Sequence, residues 1–169
     1  MNRDLPDAPR VAQLAAFDEL RIGHCASLLV LVWRGKVTEL SLARLAEVEA
    51  AFTGQHQRIS VLNVVTDDAT GVASVDLIRS AAAAANRFDE QVRGSAVVLL
   101  SSGYVAAATR ATLDGLLILV GKAERYRLFA NVDLALEWLW KLPLQDPRIL
   151  DPRLGDAVRT FVRESRTDG

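Results

Sequence analysis

Leu28-Leu29-Val30-Leu31-Val32-Trp33 is the longest unbroken apolar run in the chain. A strand with one face in water alternates apolar and polar residues, so an unbroken Leu/Val run predicts a strand covered on both faces. The run is far shorter than the about 20 residues that cross a bilayer.

The segments on either side extend this pattern. Before the run, residues 17–24 alternate in part, with Phe17, Leu20 and Ile22 against Asp18, Glu19 and Arg21, and predict a strand. Residues 23–27 read as a turn. After the run, Arg34-Gly35-Lys36 ends the strand and Thr38 caps a helix to about Phe52, with the stripe Leu42, Leu45, Val48 and Phe52. Residues 58–65 and 96–100 are again apolar runs and predict further strands. Between them, residues 72–90 carry the helical stripe Val75, Ile78, Ala82 and Ala85. Gly103 opens a third helix ended by Gly121, residues 125–130 form a short strand, and a fourth helix stops before Pro143. Pro143, Pro147 and Pro152 punctuate a linker. Leu154, Val158, Phe161 and Val162 mark a short amphipathic tail helix.

Strands alternating with helices imply an α/β fold. The expected architecture is a mostly parallel sheet of about five strands with four helices and a C-terminal tail helix. Residues 1–14 read as a loose arm, 15–142 as the domain, and 143–169 as linker and tail.

Over residues 15–142 the chain resembles the STAS family, that is, the anti-sigma-factor antagonists and bacterial lipid-transfer-like relatives. The resemblance rests on element order and three local signatures. These are Trp33-Arg34-Gly35-Lys36-Val37-Thr38, Arg110 ahead of Leu113-Asp114-Gly115-Leu116, and Arg127-Leu128-Phe129 followed by Ala135-Leu136-Glu137-Trp138-Leu139. The antagonists carry a phosphorylated serine after the third strand. The matching stretch here is Asp68-Ala69-Thr70-Gly71, with Ala69 at the acceptor position, so the resemblance implies that this switch is lost. Thr70 and Ser74 remain as nearby hydroxyls.

The 169 residues have a formal net charge of -1, which offers no global field for nucleic acid or an anionic membrane. Cys25 is the single cysteine, so an internal disulfide or a cysteine-rich metal site is excluded. The first residues hold no apolar stretch of signal-peptide type, and a cytoplasmic location is expected.

Candidate chemistry is sparse. Asp67 and Asp68 stand at the end of a predicted parallel strand, where open α/β sheets place ligands. Adjacent acids in a loop are more often solvated than metal-binding. His24 and Cys25 would need to face one another to act as a pair, but neighbours in a hairpin turn usually point apart and no third group marks an orienting partner. His56, in Gln55-His56-Gln57, reads as exposed. Gly103 lacks the further glycines of a nucleotide loop. Arg110 and Asp114 share a helix face and read as an ion pair or a docking arginine. Trp138 and Trp140 lie about 200° apart on a helix at roughly 3.6 residues per turn, so they cannot both face one sheet. One of them requires a second cover: the tail helix, a twin subunit or a partner.

The expectation is therefore a non-enzymatic regulatory or protein-interaction domain with no cofactor, metal or catalytic residues. Its regulatory loop would hold Asp67, Asp68, Thr70 and Ser74, and its docking surface Arg110, Trp138 and Trp140. A protein partner is expected, with a homodimer as one possibility, and neither nucleic acid nor a transmembrane segment. The alternative is a carrier of a small apolar ligand or lipid.

Overall fold

A computed structural model describes residues 8–67, 69, 87, 90–100 and 124–167. Within them, one sheet runs in the order β1 (Ala12–Ala16), β2 (Leu20–Cys25), β3 (Leu28–Trp33), β4 (Ile59–Val65), β5 (Val92–Leu99) and β6 (Tyr126–Phe129). β1–β2 and β2–β3 pair antiparallel, and β3 to β6 pair parallel. The described helices are α1 (Glu39–Thr53), α2 (Val132–Trp140) and α3 (Leu154–Thr167), with a 3₁₀ turn at Pro147–Ile149. Apart from residues 87 and 90, the helices expected over residues 72–90 and 103–120 lie outside the described residues.

All six residues of β3 are buried, as its unbroken apolar run requires. Leu28, Val30 and Val32 join Leu62, Val64, Ala96 and Val98 on one face. There they pack under Ala135, Leu136 and Leu139 of α2 and Leu154, Val158, Phe161 and Val162 of α3. Leu29, Leu31 and Trp33 take the opposite face with Leu20, Ile22 and Val61, beneath Leu42, Leu45 and Phe52 of α1. Thr38 starts α1 with a reciprocal capping box: its hydroxyl accepts from Ser41 N at 3.1 Å, while Ser41 Oγ accepts from Thr38 N at 2.8 Å.

The sheet has six strands where about five were expected. The extra one is β1, within and just beyond the arm expected to be loose through residue 14. Its sequence AQLAA has no apolar alternation, and its residues are mostly exposed. Pairing with β2 through backbone hydrogen bonds, not burial, makes it a strand. The strand expected over residues 17–24 is also displaced and becomes β2. It begins at Leu20 and runs to Cys25, so the expected turn of residues 23–27 contracts to the corner at Ala26, which has φ of 50°. β5 likewise starts at Val92, ahead of the apolar run that predicted it.

Candidate functional site

The parallel sheet presents two ends, and they differ chemically. At the carboxyl end of β4, Thr66 is buried, and its backbone N–H and hydroxyl both donate to Trp33 O at 3.0 Å. This anchor fixes Asp67, whose side chain is 53% exposed and forms an ion pair with Arg166 of α3 at 3.5 Å. The pair ties the loop root to the tail helix. Asp68, Thr70, Ser74 and Arg110 lie outside the described residues.

Trp138 and Trp140 are both half-buried and both pack against the core beneath α2 and α3. Trp138 points toward β5 and β6, with its ring 5.7 Å from that of Phe129. Its indole and Leu142 occupy the space over Gly94, where a Cβ would collide with both. Trp140 turns the other way, as the helical spacing requires, and its indole N–H donates to Ile149 O at 2.6 Å. The second cover is thus the 3₁₀ turn that precedes α3.

His24 and Cys25 diverge. Cys25 sits in the core beneath α3, where burial pushes its thiol pKa up. The His24 ring lies on the other side, 5.4 Å from Phe52. Among the described residues, no three His, Cys, Asp or Glu side chains are grouped to hold a metal.

At the amino end of the parallel strands, a cleft of about 240 Å³ is lined by Ser27, His56, Gln57, Arg58, Arg93, Leu144, Gln145 and Asp146. These residues come from four separate segments. Ser27 ends the β2–β3 corner, His56 to Arg58 close the α1–β4 loop, Arg93 is the second residue of β5, and Leu144 to Asp146 follow α2. Gln145 holds them together: Ser60 Oγ lies 3.0 Å from Gln145 Oε1, and Gln145 Nε2 donates to Leu139 O at 2.8 Å. Leu144 takes a positive φ of 58° and stands 75% exposed at the rim.

Arg93 owes its direction to an irregularity in the ladder. Ile59 pairs with Val92 and Ser60 with Gly94, so Arg93 is the unpaired residue between them. Such bulges re-aim a side chain. Its Nε and Nη1 are buried and make no hydrogen bond among the described residues, and neither does the buried Ser27 hydroxyl. Burial holds the Arg93 pKa below its usual value, with Arg58 adding to the effect. Burial lowers the His56 pKa, and His24 and Arg148 lower it further. Asp146 accepts from Arg148 N at 3.0 Å, Nε at 3.0 Å and Nη2 at 2.7 Å, and these side-chain bonds are the main reason its pKa lies low.

Sequence reasoning missed this cleft and took His56 as exposed, whereas the ring is half-buried against Phe52 at 4.4 Å. The available signal was an arginine at the start of each of two neighbouring parallel strands, Arg58 and Arg93. It becomes readable only when the strand order is known.

No protein-family model and no curated protein matches the chain. Among solved structures, it is similar to an uncharacterised protein of the DUF3478 family from Shewanella loihica, described as having a SpoIIAA-like fold. The identity is 14%, the match covers 82% of this chain and 98% of that one, and the TM-score is 0.47.

Proposed function

We propose that the chain is a non-enzymatic, STAS-like interaction domain that engages a protein partner through the loop beginning at Asp67 and the helices beside it. The observation that carries this reading is the placement of Asp67. It is a half-exposed carboxylate in the middle of the strand ends, held from below by Thr66 on Trp33 and from the side by Arg166. A charge presented from a rigid root favours specific docking, because little ordering is left for binding. The face beneath α2 and α3 is filled by the chain's own Leu, Val and Phe side chains, which weighs against an apolar ligand between sheet and helices there. No described helix is long and apolar enough to cross a membrane.

The test places a photo-crosslinking residue at position 67 and, separately, at exposed position 163, in protein expressed in its own host. A discrete protein adduct from position 67 and none from 163 is expected. Thr70→Glu and Ser74→Glu should then change the yield of that adduct, since each adds negative charge to the same loop. No adduct from position 67 would overturn the reading.

A further inference from the structure

We infer that the cleft at the amino end of the parallel strands is a binding site for a soluble phosphate-bearing molecule, with Arg93, Arg58, Ser27 and His56 as the recognising groups. The site is independent of the docking loop, which stands at the opposite end of β4.

The argument starts from unmet hydrogen bonding. Buried polar groups are nearly always paired, because an unpaired one forfeits its water without replacement. Here two nitrogens of one guanidinium and one hydroxyl, all buried and all able to donate, belong to residues that line the same cleft and have no partner among the described residues. Ser27 is 5% exposed, so water from outside barely reaches it. Three converging donors without an acceptor define the missing group as an acceptor.

Charge defines it further. The charged groups at the cleft are Arg58, Arg93 and Asp146, with Arg148 beside Asp146, while His56 is held toward its neutral form. The Asp146 carboxylate is already engaged three times by Arg148. Asp146 also acts on Arg93, but one carboxylate against Arg58, Arg93 and Arg148 leaves two positive charges in excess among the described residues, which a dianion balances. A tetrahedral phosphate also offers several acceptor oxygens in different directions, suited to donors that arrive from the β2–β3 corner, the α1–β4 loop and β5. The donors are pre-positioned: the ladder irregularity aims Arg93, Phe52 backs the His56 ring, and Gln145 pins the far wall. The cleft exceeds the size of one phosphate group, so it also admits part of the molecule that carries it.

The test titrates the labelled full-length chain with inorganic phosphate and then phenyl phosphate near neutral pH, with chloride held constant, and follows the His56 ring and Arg93 Nε–H resonances. Saturable shifts are expected, with the His56 pKa rising as the anion binds. Arg93→Gln and Arg58→Gln should each weaken binding by about tenfold or more, since each removes a charge-assisted partner. Ser27→Ala should weaken it less, and Arg163→Gln, outside the cleft, should leave it unchanged. Arg58 is exposed, so its variant keeps the test decisive if Arg93→Gln fails to fold. A linear response equal to that given by added chloride would overturn the proposal. So would full affinity in folded Arg93→Gln and Arg58→Gln. Pelleting with phosphatidylcholine vesicles doped with phosphatidic acid, without any response to the soluble phosphates, would also overturn it, because the ligand would then be a membrane headgroup.

Discussion

The ring of Phe161 lies directly over Gly23, so close that a Cβ on Gly23 would stand 2.7 Å from the ring edge and 2.7 Å from Val11. This contact docks α3 onto β2. Arg21, the neighbour two residues earlier on the same face, places its guanidinium 4.8 Å from the centre of the same ring. Gly23→Ala must move the helix or β1, and overpacking of this kind costs about 1–3 kcal/mol. Urea denaturation is expected to show a lower midpoint at unchanged slope, and Phe161→Leu in the same background should recover part of the loss.

Removal of residues 147–169 takes away Ile149, Leu154, Val158, Phe161 and Val162, all buried, together with the acceptor of the Trp140 indole. The truncated protein is expected to melt at a lower temperature, with tryptophan emission shifted to the red. Trp140→Phe in the full chain isolates the hydrogen bond and should cost about 1 kcal/mol in a denaturation experiment.

Arg34 joins three backbone carbonyls with one fork. Its Nε donates to Asp18 O at 3.0 Å, Nη2 to Phe17 O at 3.0 Å and Nη1 to Ser165 O at 2.7 Å. A lysine has the charge but not the planar fork. Arg34→Lys is expected to lose about 1–3 kcal/mol of stability. Amide exchange should accelerate at the carboxyl end of α3 more than in β4.

Burial pushes the Glu49 pKa up to about 7. A carboxyl whose folded pKa is raised binds its proton more tightly when folded, so this group removes stability as pH rises from the unfolded value toward 7. Glu49→Gln is expected to stabilise the protein at pH 8, by at most about 3 kcal/mol, and to change little at pH 4. Thermal unfolding at the two pH values reads the difference. Equal effects at both would show that Glu49 does not titrate as described.

The apolar runs at 28–33 and 96–100, and the largely apolar segment from Ile59 to Val65, determined the parallel centre of the sheet by themselves. Continuous Leu and Val leave no polar face for water, and only a strand covered on both sides accommodates them. Thr38 and the tail stripe Leu154, Val158, Phe161 and Val162 were legible for a similar reason, since capping chemistry and helical period are local properties. Glu49 was less legible. It sits seven residues after Leu42 and three before Phe52, on the buried stripe of α1, but its charge directed attention to Val48 instead.

Tertiary structure alone decided the rest. β1 exists because β2 offers it backbone partners, a property its own side chains do not record. The two tryptophans find cover within the chain because the segment after α2 folds back beneath Trp140. The cleft of Ser27, His56, Arg58 and Arg93 exists only once β4 and β5 are aligned with Arg93 left unpaired between Val92 and Gly94. Burial patterns repeat along a chain and can be read from it. A set of donors brought together from three distant segments depends on register, and register is set by the whole sheet.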